Sequence, residues 1–158
     1  MNQINHFPFS EGKEPVIRYQ KRKPVVVLKQ VGNLLYTSGH GPEDQITGKP
    51  VYAGRIGTDL TPEEGYLAAK ECGRILLGAL QDYLGTLDRV KSLVKVTALV
   101  NVDGKDHDLD GIMDGFSDLM MDVLKERGYH VRTVMGTHNM PNGNIPVEVE
   151  MIAEIMGG

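Results

Sequence analysis

The sequence is poor in the features that mark specialised classes of protein. Its 158 residues include one cysteine, Cys72, and no tryptophan, so neither an intramolecular disulfide nor a cysteine-based metal site is expected. No apolar run approaches the ~20 residues of a membrane-spanning helix. The polar N-terminus, interrupted by Pro8, lacks the pattern of a secretory signal. Together these absences predict a cytoplasmic protein that does not associate with membranes.

An excess of positive charge is also absent. The formal net charge is −4 and the isoelectric point is about 5.7, whereas nucleic-acid-binding domains usually carry a basic surface. The one basic run, at residues 18–23, is expected to be a solvated approach to the first strand. The length fits a single domain. We therefore expect an N-terminal arm at residues 1–20 and one domain over residues 21–158, and the charge argues mildly against a nucleic-acid partner.

The motifs that hold nucleotides, metals or nucleophilic serines are missing as well. Neither Gly-x-x-x-x-Gly-Lys-Ser/Thr nor Gly-x-Gly-x-x-Gly occurs, and Gly-x-Ser-x-Gly is also absent. His40, His130 and His138 do not have the spacing of metal ligands, and no cysteine supports them. Ser38 lies two residues before His40, but polarity at the end of a hairpin explains that pair equally well. Neither a metal nor an organic cofactor is expected.

Periodicity and turn signals predict a definite architecture. Two β-rich runs, at residues 24–29 and 34–38, flank the tight-turn dipeptide Gly32-Asn33 and predict a hairpin. The stretch 39–57 is long for a loop and is a candidate functional loop. The remaining elements, two helices and three strands, are expected in chain order at 62–84, 90–100, 109–127, 131–134 and 147–155. The order β-β-α-β-α-β-β predicts an α+β fold in which two helices cover one face of a single mixed sheet.

The first helix has a clear start signal. Thr61 and Glu64 have the spacing of a capping box, Pro62 stands at the first helical position, and Gly85 is a suitable C-terminal stop. Cys72 lies on the apolar face of this helix, so buried packing is favoured over a nucleophilic role.

Two strands have distinguishable faces. Four apolar residues of the 90–100 strand are expected to share one face: Val94, Val96, Ala98 and Val100. Along the terminal strand, glutamates and Ile152 at the even positions 148–154 alternate with apolar residues at the odd positions 147–155. The second face of this sheet carries both glutamates and apolar residues, so we expect another subunit to cover it in place of water. This predicts a homo-oligomer.

Two charged residues near the C-terminus are candidate site residues. Arg132 stands inside a strand, where a permanently charged guanidinium is a natural anchor for an acidic substrate. Alternatively, Arg132 has a structural role and forms a salt bridge, for example with a glutamate of the terminal strand. Glu148 is either a catalytic carboxyl or a paired surface carboxylate.

Four segments then carry a resemblance to a known family. They are GNLLYTSGH (32–40), VKVT (94–97), RT (132–133) and VEVEMIA (147–153). In this order, and over residues 24–155, the chain resembles the RidA/YjgF family of reactive intermediate deaminases, formerly called endoribonuclease L-PSP. The likeness is greatest to its longer branch, described as YjgF/chorismate-mutase-like putative endoribonucleases. That closer likeness rests on GRIGTDL (54–60), EEGY (63–66), LDRVK (87–91) and SDL (117–119).

The resemblance implies a fold, an assembly and an activity. The fold is that of the bacillary chorismate mutase, assembled as a homotrimer with a central barrel and ligand clefts between subunits. The family pattern implies that Arg132 binds a substrate carboxylate and that Glu148 positions water. It places the backbone of Gly39 and the side chain of Ser117 in the cleft. The implied reaction is the hydrolysis of reactive enamine or imine intermediates, 2-imino acids giving 2-keto acids and ammonia without a cofactor.

The chain also departs from the pattern of active deaminases at three places. Val25 stands where a tyrosine is usual, Val134 replaces a frequent cysteine, and the loop 135–144 is polar instead of hydrophobic. Two alternatives therefore stay open beside the deaminase. One is a non-catalytic trimer that binds small acidic metabolites for regulation, and the other is an endoribonuclease.

Overall fold

The computed structural model of the protein describes residues 25–157. The predicted N-terminal arm, the basic run and Pro24 lie outside the described residues. Two long helices and five strands follow the predicted order, with short helical turns at 87–89, 125–128 and 141–144. The main elements are β1 (Leu28–Val31), β2 (Leu34–Thr37), α1 (Pro62–Leu84), β3 (Val90–Asn101), α2 (Leu109–Leu124), β4 (Val131–Thr137) and β5 (Val147–Ile155).

The five strands form one mixed sheet in the order β1-β2-β5-β3-β4. β4 pairs with β3 in parallel, and the other neighbouring pairs are antiparallel. A parallel pair needs a crossover connection, and α2 supplies it between β3 and β4. Both helices pack on the same face of the sheet, which confirms the predicted α+β fold and leaves β4 as an edge strand.

The helix α1 begins and ends where the sequence predicts. The Thr61 hydroxyl accepts from the Glu64 backbone N–H at 3.1 Å, and the Glu64 carboxylate accepts from the Thr61 N–H at 2.8 Å. Gly85 ends the helix with a left-handed backbone, at φ 79°. Although α1 has 23 residues, neither it nor another helix of the described residues is long and apolar enough to cross a membrane.

The core lies between the two helices and the sheet. Leu76 and Leu80 of α1, Phe116 of α2 and Val96 of β3 are fully buried there, and each such side chain contributes about 1.5–3 kcal/mol to folding. Cys72 is also fully buried, which confirms its predicted packing role. Burial raises the pKa of its thiol well above the usual value, so the thiol stays protonated and unreactive.

One predicted strand face needs correction. Val94 was expected beside Val96 in the interior, but 39% of its surface is exposed, whereas Leu93 is buried. The reason is a β-bulge: Leu93 pairs with Ala153 and Lys95 with Ile152, so Val94 is an extra residue on β3. The bulge shifts the alternation by one position, and Val96 onward follows the predicted face.

The alternation predicted for β5 is confirmed. Its odd-numbered residues 147–155 are buried against the helices, and the even-numbered residues lie on the other face with partial or full exposure. That second face, which no helix of the described residues covers, is called the open face below. It presents the glutamates of β5 to solvent or to another molecule.

Candidate functional site

Arg132 lies on the edge strand β4 and points toward α2. It is in register with Val96 of β3, and residues in register share a face, so its side chain lies on the helix-covered side. Nη1 donates to Asp114 Oδ1 and to Ser117 Oγ, both at 3.0 Å, and Nη2 donates to Asp110 Oδ1 at 3.0 Å. Arg132 thus forms salt bridges, as the structural alternative predicted. Its partners, however, are aspartates of α2 and not the glutamates of the terminal strand.

The two aspartates that pair with Arg132 are themselves open to solvent. The exposed fraction of the side chain is 80% for Asp110 and 55% for Asp114, against 17% for Arg132. Ion pairs with such exposed partners contribute only ~0–1 kcal/mol each. Another carboxylate can therefore replace them as the partner of the guanidinium at small cost.

Ser117 connects Arg132 to a histidine. The Ser117 hydroxyl lies 3.0 Å from His130 Nε2, and His130 Nδ1 lies 2.7 Å from the Gly128 carbonyl oxygen. Because a carbonyl oxygen only accepts, Nδ1 donates to Gly128, and in the tautomer protonated at Nδ1 the Ser117 hydroxyl donates to Nε2. The oxygen of Ser117 is then oriented to accept from Arg132, so this chain of hydrogen bonds fixes the guanidinium. Sequence reasoning had considered His130 only as a metal ligand.

Glu148 lies at the start of β5, on the open face. Its neighbours Val147 and Val149 are fully buried on the helix side, so the Glu148 side chain points the opposite way. Gly39, just beyond β2, packs directly on it, and a Cβ atom at position 39 would collide with the Glu148 carboxyl. A side chain at position 39 would therefore displace the Glu148 carboxyl, and the structure brings Gly39 and Glu148 together.

The carboxyl of Glu148 holds its proton to higher pH than an ordinary glutamate. Partial burial is the largest cause of its raised pKa, followed by the negative charges of Glu43 and Glu150. A carboxyl that exchanges its proton closer to neutral pH can act as both acid and base in a reaction.

Arg132 and Glu148 do not meet within one chain. Glu148 is paired with Leu99 of β3, and Leu99 is paired with Met135 of β4. Arg132 is thus two strands and three residues away, about 10 Å in each direction for ordinary strand dimensions. The two side chains also point to opposite faces. Of the four predicted site residues, the structure joins Arg132 with Ser117 and Glu148 with Gly39, as two separate pairs.

Two buried residues beside Glu148 were not predicted as site residues. His40 is 2% exposed and Glu43 is 6% exposed, and Asn142 Nδ2 donates to Glu43 Oε1 at 2.6 Å. Burial lowers the pKa of His40, so its ring is neutral at neutral pH. The contact between Glu43 and Asn142 spans 99 positions of sequence, so local pattern could not reveal it. The sequence signal was that Glu43 lies in the long stretch 39–57 and Asn142 in the polar stretch 135–144.

The histidines considered as metal ligands have other roles. In His40, His130 and His138, Nδ1 lies 2.7–2.9 Å from a backbone carbonyl oxygen. Ser38 donates to the carbonyl of Val26 at 2.6 Å, which supports hairpin-end polarity for that residue. Within residues 25–157 no group of three or more His, Cys, Asp or Glu side chains is arranged to hold a metal ion.

Two surface concavities lie apart from the candidate residues. One of about 440 Å³ separates the N-terminal ends of α1 and α2 beside Tyr66, and one of about 170 Å³ lies on the open face beside Thr97. Neither is lined by Arg132 or Glu148. These two concavities are therefore separate from the candidate residues.

Comparison with known proteins decides the family. The family model described as YjgF/chorismate mutase-like, putative endoribonuclease, matches residues 22–155. The chain belongs to this family. The resemblance seen in the sequence is thereby confirmed, and the mixed sheet with two helices is the YjgF/chorismate mutase-like fold.

Individual known proteins match over most of their length. Protein TCP17 of Trypanosoma cruzi is 34% identical over 125 residues, which are 78% of this chain and 76% of TCP17. The protein Atu1372 of Agrobacterium tumefaciens, described as having unknown function, is 29% identical over 85% of this chain and 86% of its own, with a TM-score of 0.80. A putative endoribonuclease of Shewanella oneidensis MR-1 is 29% identical over 90% and 92%, with a TM-score of 0.81.

Proposed function

We propose that this YjgF-family protein hydrolyses reactive 2-imino acids, or closely related small carboxylates, to 2-keto acids and ammonia at clefts between the subunits of a homotrimer. The observation that supports the proposal best is the raised pKa of Glu148, whose half-buried carboxyl packs against Gly39. Hydrolysis of a C=N bond needs a group that both gives and takes a proton near neutral pH. The raised pKa of Glu148 moves its proton exchange toward that range.

Arg132 is the proposed carboxylate anchor. A guanidinium binds a carboxylate through two parallel hydrogen bonds, and Nη1 and Nη2 already bind carboxylate oxygens of Asp110 and Asp114. The substrate carboxylate would replace these exposed partners. Ser117 would keep the guanidinium oriented during the exchange, since it remains hydrogen-bonded to Nη1 and to His130.

Glu148 supplies all four proton transfers of the hydrolysis. Its neutral carboxyl donates a proton to the imine nitrogen, and the resulting iminium carbon is more electrophilic. As the oxygen of water bonds to that carbon, the C=N π pair moves to nitrogen and Glu148 takes a proton from the water. Glu148 then protonates the amino group of the carbinolamine, the C–N bond breaks, and ammonia leaves. The hydroxyl proton returns to Glu148 as the C=O bond forms, so the carboxyl ends as it began.

A second copy of the chain is needed to complete such a site. One small substrate cannot reach both Arg132 and Glu148 of a single chain, because they lie on opposite faces of the sheet. The open face carries Glu148, and the edge strand β4 carries Arg132 beside the exposed apolar residues Val131 and Met135. Packing the edge of one copy against the open face of the next would cover these apolar residues and unite the two groups. Repetition of that contact around a three-fold axis gives the proposed homotrimer.

The experiment that tests the proposal measures ammonia release from freshly generated 2-imino acids. The wild-type protein is expected to accelerate release, and Arg132→Ala is expected to abolish the acceleration. Arg74→Ala is the matched control, since Arg74 pairs with Glu71 on the helix surface and should not affect the rate. Release equal to the protein-free rate at every protein concentration would contradict the deaminase proposal.

A non-catalytic metabolite-binding protein is the second candidate, and the existing ion pairs of Arg132 favour it. A guanidinium that is already held by Ser117 and two aspartates is suited to exchange one carboxylate for another without any reaction. This candidate predicts that small carboxylates raise the melting temperature of the wild type but not of Arg132→Ala, while no ammonia is released.

An endoribonuclease activity is named in the description of the family and of the Shewanella protein. For this chain the net charge of −4 and the glutamates of the open face oppose binding to a phosphate backbone, which relies on cationic contacts. Cleavage of RNA that is sensitive to salt and lost in Glu148→Gln would favour it over the deaminase.

A further inference from the structure

Aspartates stand at every fourth position along one stripe of α2. They are Asp110, Asp114, Asp118 and Asp122, and all four are exposed. Residues four positions apart are neighbours on the surface of a helix, and like charges in such pairs destabilise it. The row is therefore stabilised by cationic partners, and its first two members share one, Arg132.

The other two aspartates of the row do not pair with Arg132. Tyr66 Oη donates to Asp118 Oδ2 at 2.7 Å, which connects the third aspartate to α1. Asp122 lies eight positions beyond Asp114, which is ~12 Å along the helix axis. The row thus divides into a pair at the proposed carboxylate anchor and two members that lie away from it.

The guanidinium of Arg132 has neutral acceptors as well as charged ones. The neutral acceptors are Ser117 Oγ, 3.0 Å from Nη1, and the Asp110 carbonyl oxygen, 3.3 Å from Nη2. The charged acceptors are Asp114 Oδ1 on Nη1 and Asp110 Oδ1 on Nη2, both at 3.0 Å. Each nitrogen keeps a neutral partner when its aspartate leaves, so the guanidinium stays oriented while its carboxylates are exchanged.

The charges at this anchor do not balance. Two carboxylates face one guanidinium, and among residues 25–157 no second cation pairs with Asp110 or Asp114. A ligand carboxylate that binds the guanidinium adds a third negative charge and displaces at least one aspartate from it. A ligand that brings only a carboxylate is therefore repelled by the aspartates that it displaces.

A cationic nitrogen on the ligand removes this repulsion. In a 2-amino acid or a protonated 2-imino acid, the nitrogen is bonded to the carbon next to the carboxylate. When the carboxylate binds Arg132, this nitrogen can pair with Asp110 or Asp114, which flank the two ends of the guanidinium. A 2-keto acid has an uncharged oxygen there and nothing to donate. Attraction of one ligand and repulsion of the other both contribute to such discrimination.

We propose that Asp110 and Asp114 are specificity-determining residues. They make the Arg132 site select small carboxylates with a cationic nitrogen on the adjacent carbon over carboxylates without one. The inference rests on the proposed function for the role of Arg132 as the anchor, and it deepens that function by separating substrate from product. A site with this preference holds the iminium form of a 2-imino acid and releases the 2-keto acid once the nitrogen has left.

The deciding experiment compares two probes with the same carbon skeleton, L-alanine and pyruvate, by isothermal titration calorimetry at low ionic strength. L-alanine has an ammonium group where pyruvate has a keto oxygen, so the wild type should bind L-alanine more tightly. The ratio of the pyruvate Kd to the L-alanine Kd should fall by about two- to five-fold in Asp110→Asn and in Asp114→Asn, because single ion pairs with exposed partners are weak. The double variant should show the larger fall.

Matched variants distinguish charge from structure. Asp122→Asn removes the same charge from the same stripe of α2 and should leave the ratio unchanged. Asp114→Glu keeps the charge and should retain the preference for L-alanine, which a purely structural role of Asp114 does not predict. An unchanged ratio in both single Asp→Asn variants would overturn the proposal. So would a wild type that binds pyruvate as tightly as L-alanine, or one that binds neither probe.

Ammonia release separates this inference from the deaminase proposal. Neither probe is an imine, so the binding ratio is measured without any hydrolysis. The expected ratios together with an absence of ammonia release from 2-imino acids would reject the reaction and retain the role of the two aspartates. Ammonia release together with an unchanged ratio in the Asp→Asn variants would do the reverse.

Discussion

Arg132 and Glu148 project from opposite faces of the same sheet. Arg132 is in register with the buried Val96, whereas Glu148 is in register with Leu99 and points away from the helices. The two groups that imine hydrolysis requires are therefore divided between an edge strand and an open face. This division explains why neither of the two concavities described above is lined by both groups, and it makes assembly a condition of the proposed activity.

The first prediction concerns the geometry of the carboxylate anchor. Arg132→Lys keeps the positive charge but loses the two parallel hydrogen bonds of the guanidinium. Affinity for a small 2-keto acid should fall by about 10-fold or more, because hydrogen bonds to charged groups contribute ~1.5–3 kcal/mol. Isothermal titration calorimetry checks this, with Arg74→Lys as the control. Equal affinity of Arg132→Lys and wild type would show that the guanidinium is not the anchor.

The second prediction concerns the close approach of Gly39. Gly39→Ala would push the Glu148 carboxyl aside, because the new Cβ would occupy its place. Ammonia release should fall by about 10-fold or more, since small displacements of a reacting group are costly. Gly136→Ala is a suitable control, because its Cβ would make ordinary contacts at 3.4 Å with Leu109 and Val102. A Gly39→Ala protein that is as active as Gly136→Ala would contradict the role given to Glu148.

The third prediction concerns the pH dependence of stability. The pKa of Glu148 is raised in the folded state, so this group binds a proton more tightly in the folded than in the unfolded chain. Its contribution to stability is present below the ordinary glutamate pKa of about 4.3 and is lost as pH rises through the folded value. Glu148→Gln should therefore gain stability relative to wild type as pH increases through that window.

Differential scanning calorimetry at a series of pH values measures this trend. The difference in melting temperature between Glu148→Gln and wild type should grow with pH and then level off. Glu63→Gln, which changes an exposed glutamate, should show no comparable trend. A difference that stays constant across the window would mean that folding does not alter the pKa of Glu148.

The regular elements were predictable because their signals are local. The capping residues Thr61 and Glu64 and the alternation of β5 lie within a few positions of one another, and each was confirmed by the structure. Val94 was placed wrongly because a bulge depends on how β3 pairs with β5, which the sequence of β3 alone does not contain.

The candidate site was predictable only in part, for a related reason. Arg132 was recognisable as a charged residue in a strand, but the face to which it points depends on its register with Val96, and so do its aspartate partners on α2. The group around Glu148 joins the two loops that carry Glu43 and Asn142. Only the folded sheet brings those loops together.

The most direct test of a shared site is complementation between inactive variants. Arg132→Ala and Glu148→Gln are each expected to lack ammonia release from 2-imino acids. Mixed after reversible dissociation, they should regain about a quarter of the wild-type activity, because random assembly pairs an intact Arg132 with an intact Glu148 of another copy at that fraction of clefts. A mixture as inactive as the separate variants, beside an active wild type treated in the same way, would contradict the shared site.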